Sequence, residues 1–475
     1  MLTLLSFARY VNSVNIVPEA TMASAIELDQ ATDHPFLTGI HAPMRAELTL
    51  TELPVTGTIP PALNGQYMRI GPNPVNPDPK GYHWFVGDGM VHGLAIRDGK
   101  AQWYRNRWIR STPAAAALGE PPAPGPRHGR FDTVNTNVVE IAGEILALVE
   151  AGSTPVALSR DMERQAYSDF GGTLAGTFTA HPHRDPLTGE QHAITYAAMV
   201  PDTVHHVVIS AEGMVVREEP IAVEHGPSIH DCAFTARYAV VMDLPVTFSL
   251  AEAMQGTRFP YRWNPEHRAR IGLLPRDGRG EDIIWIEIDP CYIFHVANAH
   301  DLPDGRVVLD AVTYDTMFAG APGGPDQSPR GLERFVLDPA TRTAERRILD
   351  SAPQEFPRPD ERRFGQPYRY AYTMALPGNG FAIAGTQLYK HDLEAGTRQV
   401  HDFGPGRHPG EFVFVPAAPD SAEDAGWLIG LVVDLPHETT DLVILDARDF
   451  AGAPVASIRL PHRVPPGFHG NWIAG

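Results

Sequence analysis

The sequence predicts an all-β fold, a β-propeller, on three observations. Turn formers are in surplus: 43 glycines and 45 prolines make up nearly a fifth of the 475 residues, against roughly 12% in an average protein. Short strand-like runs bounded by Gly, Pro, Asp or Asn dominate the chain. Three segments align on their turn aspartates, Asp338, Asp392 and Asp446, at a constant spacing of 54 residues, and HRDPLTGEQHAITY has the same strand–Asp-turn–strand form. A repeat near 50 residues, each unit one small antiparallel sheet, is the pattern of propeller blades. About 430 residues divided by that period give roughly eight blades, or seven with irregular insertions. A pair of β-sandwiches with chance spacing stays open as the alternative.

In chain order, the N-terminus reads MLTLLSFARYVNSVNIVPEATMASAIELD. Its apolar run at 2–8 has no basic region before it and is cut short by Arg9, too short and wrongly flanked for a secretory signal, so none is expected. Residues 1–25 are expected to be a disordered extension or an over-called start, and 26–475 a single propeller domain, because no boundary has linker composition. The Pro/Ala-rich stretch 113–126 reads as an inserted surface loop, with 114–118 a candidate helix. Strands are expected over 138–145 followed by 146–149, then 192–199, 205–209, 238–244, 283–288, 306–312 and 427–433, and a helix over 247–255.

Composition bounds the function. Two cysteines exclude a disulfide scaffold and a Cys-based zinc module. A net charge of −19 argues against nucleic acid as a partner. No run approaches the 18 apolar residues of a membrane span, so a cytoplasmic protein is expected. Histidine, with 21 residues, is the outlier. Four stand in marked contexts: His181 in TAHPHRDP, His230 in SIHDCAFT, His295 in FHVANAHD and His469 in PPGFHGNW. Their spacings approximate one, one and three blade periods, so a propeller could gather them at its axis. Neutral imidazole ligates Fe, Cu, Ni or Zn, but a histidine is more often a surface or satisfied core residue, and spacing alone is a weak warrant.

These contexts resemble the carotenoid cleavage oxygenase family, which includes stilbene-cleaving dioxygenases. The match runs from about residue 53 to the C-terminus. It includes YMRIGPNP (67–74), HWFVGDGMVHG (83–93), YRNRWIRS (104–111), NTNVV (135–139), LALVEAG (146–152), AHPHRDPLTGE (180–190), FHVANAHD (294–301), GEFVFVP (410–416) and GFHGNW (467–472). The resemblance implies a seven-bladed propeller, with loops and short helices capping one face over a single non-haem Fe(II) held by His181, His230, His295 and His469. His183 is the competitor for His181, since two residues along a strand return to the same face. His83, His92, His205, His206, His225 and His300 align with no ligand and are expected to be structural.

The family also supplies three glutamates that accept from the ligands' Nδ1 groups, and the matching positions are Glu150, Glu355 and Glu411. Glu150 and Glu411 lie in apolar strand-like runs, where an unpaired carboxylate is costly; Glu355 lies in what reads as a polar loop, QEFPRPDERRFG. His181 is the ligand without a glutamate. Thr136 would crowd a vacant coordination position, or is an ordinary strand threonine. The implied activity is O2-dependent cleavage of one C=C bond into two carbonyl fragments, without NAD, flavin or haem; no GxGxxG follows a strand and no GxxxxGK[ST] occurs. A non-catalytic propeller binding module is the reading from a different class.

Phe294, Phe356 and Phe468 adjoin the metal-shell positions and are candidates to line an apolar substrate tunnel, or are ordinary core. Stilbene-cleaving relatives resemble one another in a tyrosine and in a lysine directly before the first glutamate. Here Tyr104 stands in YRNRWIRS, but Val149 precedes Glu150. An apolar Val149 favours a carotenoid or apocarotenoid over a 4-hydroxystilbene, the alternative. Relatives dock on membranes through an apolar patch at the tunnel mouth, to which the stretch beginning at Pro113 is a candidate contributor; with −19 charge such peripheral contact would be hydrophobic. The oligomeric state is not legible.

Overall fold

A computed structural model describes residues 33–129, 131–320, 323–378 and 383–475. The expected N-terminal extension at 1–25 lies outside the described residues. Seven antiparallel sheets form the blades of a propeller, and the chain enters each of blades two to six at its inner strand. The second blade is Asn137–Ile141, Glu144–Leu148, Val156–Leu158 and Gln165–Tyr167; the third is His183–Arg184, Gln191–Ala197, Val200–Ile209 and Val215–Ala222. The fourth is Ala233–Phe234, Tyr238–Asp243, Arg270–Pro275 and Ile284–Glu287, with a two-stranded ribbon, Val246–Phe248 and Tyr261–Trp263, inserted in it. The fifth runs from Tyr292–Asp301 through Val307–Tyr314 and Gly331–Asp338 to Thr343–Asp350, and the sixth from Gln354–Pro359 through Tyr370–Ala375 and Gln387–Asp392 to Thr397–Asp402.

The two chain ends close the ring. The C-terminal strand Gly470–Ala474 is the innermost strand of the first blade, beside Gly65–Pro72, Gly89–Arg97 and Lys100–Trp108. The N-terminal strand Val55–Gly57 adds an outer edge to the seventh blade, Arg407–Pro416, Gly426–Asp434, Thr439–Asp446 and Ala456–Leu460. Apolar clusters fill the spaces between blades, and the inner strands of successive blades pack against one another around the axis.

The 54-residue repeat has a physical origin. Asp338, Asp392 and Asp446 each end the third strand of blades five, six and seven. Each carboxylate caps the turn into the fourth strand, accepting the backbone N–H of Ala340 (2.8 Å), Ala395 (3.0 Å) and Arg448 (2.8 Å). HRDPLTGEQHAITY is a different hairpin, joining the first two strands of the third blade. The first expected hairpin turns earlier than its apolar run suggested: Ala142 (φ 50°) and Gly143 (φ 83°) form the two-residue turn, as a right-twisted hairpin requires. The helix expected over 247–255 is shorter, Leu250–Met254, with Ser249 as its cap, because 246–248 pairs as a strand. The stretch 113–126 is not all loop: it begins in the helix Thr112–Leu118, which buries Ala114 and Ala115 and ends on Gly119 (φ 71°).

Candidate metal centre

The four marked histidines converge on the axis because each sits at an inner strand. His181 precedes His183–Arg184, His230 precedes Ala233–Phe234, His295 lies within Tyr292–Asp301, and His469 precedes Gly470–Ala474. All four are buried. Successive Nε2 atoms are 3.2 Å (His181 to His230), 3.2 Å (His230 to His295) and 3.1 Å (His295 to His469) apart, and the four lie within 4.8 Å of one another.

The protons must sit on the opposite nitrogens of three of these rings. His230 Nδ1 donates to Glu150 Oε1 (2.9 Å), His295 Nδ1 to Glu355 Oε2 (2.7 Å) and His469 Nδ1 to Glu411 Oε1 (3.1 Å). With Nδ1 protonated, the Nε2 lone pairs face one another, an arrangement that a cation at their centre stabilises. Cis nitrogens about 2.1 Å from an ion stand about 3 Å apart, so the donor set fits a transition metal with neighbouring ligand positions open. Among the described residues no carboxylate hydrogen-bonds His181.

The carboxylates are fixed in turn. Tyr196 donates to Glu150 (2.7 Å), Tyr314 to Glu355 (2.8 Å), and the Gly470 N–H to Glu411 (2.9 Å). Burial opposes ionisation of Glu150 and Glu411, but His230, Tyr196 and His295 together outweigh it at Glu150, and Arg358 with His469 holds Glu411 down to about 2. Burial, then the neighbouring imidazoles, pushes His181 well below the usual range; at His469 burial outweighs Glu411 and lowers it to about 4. Both are therefore neutral, and able to ligate, at pH 7. Glu355 does not lie in a polar loop: it is in the inner strand of the sixth blade and wholly buried.

His183 points elsewhere. Its Nε2 meets Asp231 Oδ1 at 2.7 Å, and Asp231 also accepts from the N–H groups of Cys232 (2.7 Å) and Val296 (2.8 Å). Of the other histidines near motifs, His92 bonds Tyr104 (2.9 Å), His206 bonds His192 (3.1 Å), His225 bonds His267 (3.0 Å) and His83 accepts from the Phe85 N–H (3.2 Å); none of the six, His205 and His300 included, joins the axial cluster.

Two cavities meet at the cluster. One is walled by aromatic and aliphatic side chains and reaches His230, His295 and His469. Phe294, Phe356, Phe468, Val149 and Thr136 all line it. The Thr136 hydroxyl donates to Asn135 Oδ1 (2.9 Å). The other is more polar and reaches His181, His295 and His469 past Asp231 and Arg358. Tyr104 corrects the sequence reading. It lies on an inner-core face of the first blade, 1% exposed, with its hydroxyl held by His92 and His462 (3.3 Å), and it is not among the residues lining the apolar cavity. Sequence reasoning assigned nothing to Trp84, Phe85, Phe259 and Tyr261, which line the cavity, nor to Tyr196 and Tyr314. Trp84 and Phe85 stand inside the quoted HWFVGDG motif; no spacing ties them to 259–261.

A propeller whose axis carries four histidines, three of them oriented by buried glutamates, defines a metal-dependent enzyme class with its substrate cavity on the same axis. The family model for RPE65, retinal pigment epithelial membrane protein, matches residues 41–474, and the chain belongs to this family, that of the carotenoid cleavage oxygenases. It is 41% identical over 502 residues to a Mycobacterium tuberculosis carotenoid cleavage oxygenase, with 95% of this chain and 99% of that protein covered. Cobalt-substituted apocarotenoid oxygenase from Synechocystis superposes with a TM-score of 0.81 at 28% identity, covering 91% of this chain and 97% of that one. Lignostilbene dioxygenase from Pseudomonas brassicacearum superposes with a TM-score of 0.82 at 26% identity, covering 93% and 99%. Its relatives of known name are oxygenases and dioxygenases, and this chain is a dioxygenase.

Proposed function

We propose that the protein binds one Fe(II) through His181, His230, His295 and His469 and cleaves a C=C bond of a carotenoid or apocarotenoid with O2. The observation that carries this is the apolar cavity opening directly on three of the four histidines, an aromatic-lined cleft with a few convergent polar groups, as small-molecule sites are built. When bound, Fe(II) supplies a centre at which O2 reacts with an electron-rich alkene. Both oxygen atoms end in the products, one on each carbon of the broken bond, so no external reductant is consumed. Glu150, Glu355 and Glu411 accept the Nδ1–H hydrogen bonds and so keep each Nε2 lone pair turned toward the centre. Phe294, Phe356 and Phe468 hold the polyene against the centre and exclude water. Thr136, its hydroxyl committed to Asn135, narrows the cavity beside the histidines.

Aerobic incubation of the iron-loaded protein with β-apocarotenal, a dihydroxy-carotenoid and a 4-hydroxystilbene, with product masses, tests this. Two carbonyl fragments from a polyene are expected; exclusive turnover of the stilbene overturns the substrate. Val149 beside Glu150 and the placement of Tyr104 outside the cavity lining both favour the polyene.

The exposed apolar residues at the rim support a proposal of peripheral membrane contact. Phe131 lines the cavity and is 45% exposed. Met199 and Val200 follow the lining residue Ala198, and the exposed Leu250 and Met254 lie on the helix whose cap, Ser249, donates its N–H to the Pro260 carbonyl. The expected 113–126 segment lines no part of the cavity. No described helix is long and apolar enough to cross a membrane. Leu250→Asp with Met254→Asp is expected to abolish co-flotation with neutral phosphatidylcholine vesicles; unchanged flotation would exclude this rim.

A further inference from the structure

The apolar cavity contains several buried polar groups, and all but one are committed elsewhere. Glu150 is shared by His230 and Tyr196, the Thr136 hydroxyl is bound to Asn135, and His295 and His469 are held by their glutamates. The exception is the Tyr261 hydroxyl. Tyr261 lines the cavity and is 4% exposed, and its Oη has no hydrogen-bond partner among the described residues. Leaving a buried hydroxyl unpaired is costly, so such a group on a cavity wall calls for a partner that enters the cavity.

The ring is also held in place. Tyr261 begins the inner ribbon of the fourth blade, its Cα opposite Phe248. Its ring is packed edgewise against Phe248 (5.8 Å between centroids) and Tyr196 (6.2 Å), with Phe259 at 5.3 Å. Burial pushes the phenol pKa up, so the group is an O–H donor at any physiological pH. A fixed donor on an otherwise aromatic wall matches an oxygen atom on an otherwise apolar ligand.

We infer that Tyr261 donates a hydrogen bond to a carbonyl or hydroxyl oxygen of the substrate, so that the cavity selects an oxygenated polyene over the corresponding hydrocarbon. This rests on the function proposed above and narrows its substrate class. Arg258, three residues earlier and exposed at the rim of the same cavity, is the competing recognition group; water solvates its guanidinium, so it gains less from a ligand oxygen than a dry hydroxyl does.

Trp84 lines the cavity, so polyene binding to the full chain is read by tryptophan quenching, independently of turnover. The probes are a β-apocarotenal, its alcohol and a hydrocarbon of equal chain length. Tyr261→Phe is expected to raise Kd for the aldehyde and the alcohol by about 5- to 10-fold, the worth of one hydrogen bond, and to leave the hydrocarbon within about twofold. In the iron-loaded enzyme the same variant should raise KM for the aldehyde with kcat unchanged. Its melting temperature should not fall, because the unpaired hydroxyl is gone. Arg258→Gln should leave all three affinities unchanged. Equal weakening of all three probes by Tyr261→Phe, no weakening of any, or loss of discrimination in Arg258→Gln instead would each overturn the inference. A wild-type protein that binds the oxygenated probes through Tyr261 but cleaves none of them would overturn the cleavage reading alone.

Discussion

His230, His295 and His469 reach the axis from three different blades, yet each is oriented by one carboxylate oxygen within 3.1 Å of its Nδ1. That pairing decides which nitrogen is left to bind metal, and it separates the roles of the residues experimentally. His230→Ala removes a donor atom and is expected to reduce iron content, measured by elemental analysis after anaerobic reconstitution, to background. Glu411→Gln keeps the ring but weakens its orientation, and is expected to cost roughly 10–100-fold in iron affinity. His183→Ala should bind iron as the wild type does, since its ring is spent on Asp231; iron loss in that variant would mean the ligand set is misassigned. The four histidines and three glutamates were legible in the sequence through their motifs. Tyr196, Tyr314 and Tyr261 were not, because a tyrosine in an alternating strand carries no mark of what its hydroxyl will meet.

At the scale of elements, Asp132 ties three segments beside the cavity rim. Its carboxylate accepts from the Thr112 N–H (2.7 Å), the Ser153 hydroxyl (2.9 Å) and the Tyr167 hydroxyl (2.7 Å). Burial opposes its ionisation, but the donors, those of Thr112 foremost, hold its pKa below the ordinary value. A depressed folded pKa contributes stability that is present above the unfolded value, about 3.9, and is lost as pH falls through the folded one. Asp132→Ala should therefore lower stability by about 2 kcal/mol at pH 7, read by urea denaturation, and by less at pH 3; an equal loss at both would show that the charge is irrelevant. Strand existence was legible from alternation and turn residues, but boundaries were not. The 142–143 turn shows why: Ala142 adopts a positive φ that alanine disfavours, and hairpin twist overrides residue preference there.

For the whole molecule, ring closure and the metal centre are one event. Gly470–Ala474 pairs with Gly65–Pro72 from Gly65↔Ala474 to Arg69↔Gly470, placing His469 at the end of that ladder. Gly65 has φ 154°, and a Cβ there would stand 2.3 Å from the Ile473 carbonyl oxygen. Gly65→Ala is therefore expected to loosen the closing strand, lowering both the melting temperature and the iron content although it changes no metal-shell residue. Deleting residues 470–475 should do so more severely, and a truncated chain that melts and binds iron like the wild type would show that closure is dispensable.

The sequence by itself determined the repeat and the all-β class, because turn chemistry is a local property of a chain, and it marked the metal-binding histidines only through the resemblance of their motifs to a family. The tertiary structure alone decided which nitrogen faces inward, that His183 and Tyr104 are held elsewhere, and that residues 84–85 and 259–261 share one wall. Those are matters of convergence: blades distant in sequence meet on the axis, and only their packing specifies what stands opposite what.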